Sequence, residues 1–401
     1  MDDSINKKGD TQSRPVNKKE DSLFGTKQFS LFTLFGFRVK LDISWFLLAL
    51  LITWTLAAGL FPYNYPGLSQ QTYWWMGIVS AIGIFLSIVF HEFSHSLVAR
   101  HFGMPIRGIT LFIFGGVAEM EDEPPNAKTE FLMAVAGPIA SFVLAAVFYQ
   151  MFDLGRTNNW YAPLVGVTHY LAYINLIVAI FNLVPAFPLD GGRMLRAGLW
   201  YWKKDLTFAT RLASQIGSAF GLFLIFLGIL TFIQGNFIGG MWSALIGMFL
   251  RGAAAASYRQ VVMRKLLQGE PVRRFMNSNP VTVPSSTTIQ QLVNDYVYKY
   301  HYKMFPVVDG DKLLGCITAN NVKDLPREQW DQKQVMEFVD ACSEGNTVSP
   351  DTDTSKLVAT MMRPGGPNRV LVVENGQLAG ILSLTDLKEY IALKLDLEPP
   401  Q

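Results

Sequence analysis

Five consecutive residues hold most of the chemical content of this chain: His91-Glu92-Phe93-Ser94-His95. In an α-helix, residues four apart stand on one face. Two imidazoles placed this way can bind one zinc ion, and the carboxylate beside them can reach a water on that ion. His101, His169 and His301 stand outside the motif and read as structural. His169 is notable only as an ionisable group inside an apolar segment. Two ligands are too few, because a catalytic zinc usually has three from the protein and one open position. The candidate third is Asp190, in the run Asn182-Leu-Val-Pro185-Ala-Phe-Pro188-Leu-Asp190-Gly191-Gly192-Arg193. Pro185 and Pro188 remove backbone donors and stop a regular helix. Gly191 and Gly192 are expected to permit unusual backbone angles. Asp190 is therefore expected on an irregular, constrained segment.

Long apolar runs must position these groups. Of 401 residues half are hydrophobic and only 16% are charged, where a soluble domain carries about 25%. Mean hydropathy is positive. The charge deficit is confined to residues 43–255. A membrane helix needs about 20 mostly apolar residues, and six runs qualify: 43–61, 74–97, 131–152, 160–184, 212–233 and 237–255. Lys and Arg cluster before the first span and after the second, fourth and sixth, while loop 62–73 has no charge. By the positive-inside rule both termini are cytoplasmic, and HEFSH and Asp190 share the cytoplasmic membrane depth. Residues 1–22 are polar, with almost no core-forming side chains, and read as a disordered tail. No cleavable signal peptide is visible. Net charge is +2 and no arginine-aromatic patch suggests nucleic acid. Cys316 and Cys342 read as reduced, cytoplasmic thiols.

HEFSH at the end of one span, with NLVPAFPLDGGR two spans later, resembles the site-2 protease family of intramembrane metalloproteases. Phe114-Gly115-Gly116-Val117-Ala118 and Ala136-Gly137-Pro138 agree with that family's pattern. The resemblance covers about 43–255. It implies His91, His95 and Asp190 as Zn2+ ligands, Glu92 as general base, and Asn182 as a polar group near the scissile carbonyl. The family often carries a PDZ domain, for which this chain has no room. Thr110-Leu-Phe-Ile-Phe-Gly-Gly-Val117 is rich in strand formers but too short to span a membrane. It is expected to form an edge strand, re-entrant from the cytoplasmic side, in which Gly115, Gly116 and Val117 pair with unwound substrate. A hairpin packed on the protein is the plain alternative.

Residues 269–396 contain an internal repeat. Phe305–Asp309 with Leu313–Thr318 matches Val370–Glu374 with Leu378–Ser383 at an offset of 65 residues. Each half reads as helix, two strands around a polar turn, then helix. This resembles a tandem pair of cystathionine-β-synthase-type (CBS) domains, which commonly bind adenine nucleotides. The family's ribose-binding pattern, Ser/Thr-x-x-Asp, is kept as Ser383-Leu-Thr-Asp386. At Thr318-Ala-Asn-Asn321 it has Asn for Asp, which puts the first site in doubt. A pair that only scaffolds or forms a homodimer is the alternative.

The expected architecture is a polytopic α-helical membrane protein of about six spans with a short re-entrant strand region, plus a soluble α/β tandem CBS pair. Its parts are a tail (1–28), a transmembrane zinc metalloprotease domain (29–256), a linker read as a short surface helix (257–268), and CBS repeats at 269–330 and 331–396. The resemblance implies ATP or another adenine nucleotide as regulator, and membrane-anchored transcription factors or anti-sigma factors as substrates; the brevity of the loops suggests a prokaryotic enzyme, in the cell membrane. An ion transporter or channel with a CBS pair, and a non-cleaving relative that binds membrane proteins, are the competing readings. A transporter favours inverted repeats and a midplane site, and neither is visible in the sequence.

Overall fold

The computed structural model describes residues 28–104, 106–113, 115–120, 123–310, 312–323, 325–343, 345–361 and 366–397. The tail expected at 1–28 lies outside the described residues, apart from Gln28, which begins a strand.

Among the described residues, six helical segments are long and apolar enough to cross a membrane: Ile43–Asn64, Gln70–His101, Ala127–Thr157, Ala162–Asn182, Leu206–Ile233 and Phe237–Leu267. All six expected spans are among them. The first comprises α1 (Ile43–Thr55), a π-helical turn (Leu56–Leu60) and α2 (Phe61–Asn64). The others are α3 (Gln70–His101), α4 (Ala127–Thr157), α5 (Ala162–Asn182), α7 (Leu206–Ile233) and α8 (Phe237–Leu267). Short polar side chains start most of them, satisfying amides that have no partner in the first turn. Asp42 accepts from the Ser44 amide, Ser69 from Thr72, Asn126 from Thr129, Asp205 from Thr207 and Phe208, and Asn236 from Gly239.

Between α5 and α7 lies α6 (Asp190–Lys203), too short and too polar to cross a membrane. As the two prolines predict, α5 ends at Asn182. The glycines work differently from expectation. Gly191 and Gly192 are helical and have no positive φ. They are needed for closeness instead: a Cβ on Gly191 would lie 2.2 Å from Leu183 O, and one on Gly192 2.2 Å from Phe187 N. The chain from 183 to 189 folds flat over the first turn of α6, so Asp190 is the first residue of a regular helix rather than part of a loop.

A four-stranded sheet lies beside the spans, in the order β1 (Gln28–Leu34), β2 (Phe37–Asp42), β3 (Ile106–Phe112), β4 (Gly115–Met120). β1–β2 and β3–β4 are antiparallel, and β2–β3 is parallel. The crossover from β2 to β3 therefore runs through two complete spans. Phe37, Val39 and Leu41 alternate onto one face and pack with Ile109 and Leu111 against Val89 and Phe93 of α3. The single edge strand expected over 110–117 is divided. Thr110 and Leu111 lie inside the sheet, paired on both sides, Phe112 pairs with Gly115 alone, and the edge belongs to β4.

The hairpin of α7 and α8 is packed through glycine. A Cβ on Gly221 would meet Gly247 O at 2.6 Å, and one on Gly228 would meet Gly240 O at 2.6 Å. Small residues let membrane helices approach this closely. α8 does not stop at 255. The expected linker helix is its last turns, because no Gly or Pro interrupts the sequence before Gly269, which has φ +78°. Leu267 is fully buried among Val272, Leu357, Val370 and Leu382 of the soluble part.

That part consists of two like units. The first has β5 (Val283–Pro284), α9 (Ile289–Gln291), α10 (Tyr298–Tyr300), β6 (Met304–Asp309), β7 (Lys312–Thr318), α11 (Ala319–Lys323) and β8 (Asp340–Ala341). The second has β9 (Thr347–Val348), α12 (Thr354–Met361), β10 (Arg369–Glu374), β11 (Gln377–Ser383) and α13 (Leu384–Leu397). The hairpins β6–β7 and β10–β11 carry bulges at Val307/Val308 and Val372/Val373, equivalent positions in the two units. Met304, Leu313 and Cys316 pack against Leu371 and Ile381 between the units.

Candidate metal centre

The helix α3 brings His91 and His95 one turn apart, and the start of α6 brings Asp190 to them. His91 Nε2 and His95 Nε2 are 3.1 Å apart, and Asp190 Oδ2 lies 3.1 Å from the first and 3.2 Å from the second. A tetrahedral ion with bonds of about 2.0–2.1 Å separates its ligand atoms by roughly 3.3 Å. The three atoms thus form a triangle of the size that zinc requires. All three residues are buried, with relative exposures of 5%, 5% and 8%.

The far side of each ring supports the same use. His95 donates its Nδ1 proton to the Met133 carbonyl at 2.7 Å, which leaves the Nε2 lone pair facing the triangle. His91 Nδ1 is 2.9 Å from Ser141 Oγ. Such outer partners orient metal-ligating imidazoles and fix their tautomer. Burial alone would raise the pKa of Asp190, but His95 and His91 outweigh it and hold the carboxyl well below its ordinary range. A carboxylate oxygen and two imidazole nitrogens that converge on one point are a donor set that fits a cation. Gly137 keeps that point open: a Cβ there would lie 2.2 Å from His95 Nε2 and 2.5 Å from His91 Nε2.

Glu92 is half-buried and borders the sheet. A Cβ on Gly116 would come 2.5 Å from Glu92 Cγ, so the backbone of β4 passes directly along this side chain. Gly115 begins β4 opposite Phe112, and Val117 pairs with Thr110; Phe114 lies outside the described residues. Asn182 is the last residue of α5, half-buried, just before the flattened segment. His101 is exposed beside Phe102, His169 stacks on Phe152 with centroids 4.5 Å apart, and His301 is exposed. None joins the metal triangle.

In the soluble part, Ser383 and Asp386 form a reciprocal turn. The Ser383 amide donates to Asp386 Oδ2 at 3.3 Å and the Asp386 amide to Ser383 Oγ at 3.2 Å. Thr318 donates from its amide to Asn321 Oδ1 at 3.0 Å and also from its hydroxyl. Asn321 Nδ2 is held by Phe338 O and Asp340 Oδ2.

Sequence reasoning missed Ser141, the Met133 carbonyl and the steric role of Gly137. The only hint was the Ala136-Gly137-Pro138 triplet, read there as a pattern without a cause.

Residues 79–157 and 151–227 match the family model described as Peptidase family M50, and residues 272–327 and 338–393 match the CBS domain. Rip3 of Mycobacterium tuberculosis, which is named "Putative zinc metalloprotease", is 31% identical over 357 residues, 89% of this chain and 91% of that protein. A zinc metalloprotease of Methanocaldococcus jannaschii is 32% identical over 368 residues, 90% of this chain and 96% of that protein. Among solved structures, the site-2 protease from Methanocaldococcus jannaschii is 31% identical, with a TM-score of 0.41, and covers 57% of this chain and 94% of its own.

Proposed function

The chain belongs to peptidase family M50 and is a membrane-embedded zinc metalloprotease with tandem CBS domains, and we propose that it hydrolyses peptide bonds of single-span membrane proteins at an ion held by His91, His95 and Asp190. The observation that carries this reading is the buried triangle of ligand atoms with sides of 3.1–3.2 Å. When bound, zinc supplies a Lewis acid for the scissile carbonyl and acidifies water. Glu92, next to the ligands on the same helix turn, takes the proton from the attacking water and passes it to the leaving amine. Asn182 donates a hydrogen bond to the oxygen on which charge develops.

A membrane helix hides its peptide bonds in internal hydrogen bonds, so a substrate must unwind locally, and its freed backbone groups need partners. β4 offers an edge on which an extended segment can add as a fifth strand. The absence of a side chain at Gly116 lets that strand run against Glu92. Substrate paired to β4 through Gly115, Gly116 and Val117 thus lies beside the general base.

Membrane-anchored transcriptional regulators or anti-sigma factors are the proposed substrates, by the family resemblance. The site end of α3 and both termini are assigned to the cytoplasm of a prokaryotic cell, on the distribution of Lys and Arg. An adenine nucleotide bound near Ser383 and Asp386 is proposed to regulate cleavage, and the CBS pair is the proposed dimer contact. A transporter favours a midplane site, whereas His91 and His95 lie in the last third of α3 rather than at its middle.

The test is cleavage of a single-span substrate in detergent by the parent and by Glu92→Gln. The parent should cleave and be silenced by a zinc chelator. Glu92→Gln should keep its zinc and lose ~10²–10⁴ in rate. A parent that holds no zinc would end the proposal.

A further inference from the structure

We propose that the buried ion pair of Glu130 and Arg196 positions the third metal ligand, holding Asp190 against the two histidines. The inference rests on the reading of His91, His95 and Asp190 as the metal centre. Those ligands come from two separate elements, α3 and α6, and nothing in the helix geometry of α3 fixes where α6 stands. α4 is the frame between them. It supplies the Met133 carbonyl to His95, the Ser141 hydroxyl to His91, and the opening at Gly137.

Glu130 stands on that same face of α4, three residues before Met133 and seven before Gly137. Its Oε1 accepts from Arg196 Nε at 2.5 Å. Arg196 lies less than two turns beyond Asp190 in α6. Its Nη2 also reaches Glu123 Oε2 at 3.3 Å, and its guanidinium lies over the Phe187 ring, 5.1 Å from the centroid. One side chain thus ties α6 both to α4 and to the segment that delivers Asp190.

Stability alone does not account for the pair. Glu130 and Arg196 are only 2% and 5% exposed. Charges this deep are costly to desolvate, and apolar replacements of such pairs are often neutral or stabilising. Glu130 Oε2 is buried with no hydrogen-bond partner among the described residues, so the hydrogen bonding of this carboxylate is directed at the guanidinium. A guanidinium fork fixes direction as well as distance, which is what a ligand borne by a separate element needs.

The test uses the full chain in detergent, stripped of metal and titrated with Co2+, whose visible absorption reports its ligand set. The double variant Glu130→Leu/Arg196→Met removes both charges and leaves neither one buried alone. Arg196→Lys keeps the charge and loses the fork. Asp190→Ala marks the two-histidine site. The double variant should fold with parent-like helical content, bind Co2+ ~10–100-fold more weakly, and shift its spectrum towards that of Asp190→Ala. Its kcat should fall with KM unchanged, and Arg196→Lys should fall between it and the parent. Parent-like Co2+ affinity and spectrum in either folded variant overturn the proposal; if the double variant does not fold, Arg196→Lys decides by the same readout. A parent that binds no Co2+, or an Asp190→Ala variant that binds as the parent does, removes the metal-centre reading itself, and this proposal with it.

Discussion

Gly137→Ala should empty the metal site while leaving the helix bundle folded. The added carbon would stand 2.2 Å from His95 Nε2, 2.5 Å from His91 Nε2 and 2.5 Å from His95 Cε1. It would have to retreat by about 1 Å to reach ordinary contact distance. α4 cannot move that far away without stretching the Met133–His95 and Ser141–His91 bonds, which the same helix makes. The rings must swing instead, and the triangle opens. Stability should change much less than metal affinity. Alanine gains about 0.5–1 kcal/mol over glycine in a helix, and overpacking costs typically ~1–3 kcal/mol, so the net loss is no more than about 2.5 kcal/mol. Zinc at a thousand times its Kd stabilises the parent by about 4 kcal/mol. The assay is therefore thermal melting with and without zinc, alongside metal content after gel filtration. The parent should melt several degrees higher with zinc, and Gly137→Ala should melt at one temperature in both conditions and elute without metal. A variant that keeps a full equivalent of zinc at parent affinity would refute the placement of the ion between these residues.

Three further outcomes are expected. Val117→Pro takes an amide from β4 and should abolish cleavage with zinc content unchanged; persistent cleavage would remove the strand-pairing reading. Asp386→Ala should abolish the effect of ATP on cleavage, while Asn321→Ala, whose parent side chain is already tied to Thr318, Phe338 and Asp340, should leave it intact; the reverse pattern would assign the nucleotide to the first repeat. A maleimide at neutral pH should label Cys342, which is exposed, and spare Cys316, which is buried, with its thiol pushed up to about 11 chiefly by that burial. Equal labelling rates of the two thiols would show that β7 opens freely.

The parts legible in the sequence were those whose physics is local. Six apolar runs announce six spans because the length of a membrane helix is set by the bilayer. HEFSH announces two ligands because helical spacing alone places them on one face. The repeat around Val307 and Val372 is visible because the same hairpin is written twice. What escaped depends on approach between distant segments. Phe37, Val39 and Leu41 alternate as a strand does, yet the partner strand lies about 70 residues away, and the segment was read for its charges alone. Gly191, Gly192 and Gly137 were read as glycines of backbone freedom or of pattern, when each is a glycine of proximity, a property of the neighbouring chain. Ser141 carries no signal of its own; its role exists only because α4 crosses α3 at that turn.

The passage of the chain from β2 to β3 through two complete spans bears on how the protein is made. Two crossings return the chain to the side from which it left, so β2 and β3 can pair only when both α1–α2 and α3 have been inserted. Two more crossings separate α3 from the start of α6, so Asp190 meets the histidines under the same rule of even count. A nascent chain that skipped one span would strand its sheet on opposite faces of the bilayer, leaving β2 and β3 as bare edges and the ligand set divided. The sheet therefore works as a check on parity: a correctly counted insertion closes it, and a miscounted one yields a molecule that is visibly unfinished and has no assembled site with which to cut.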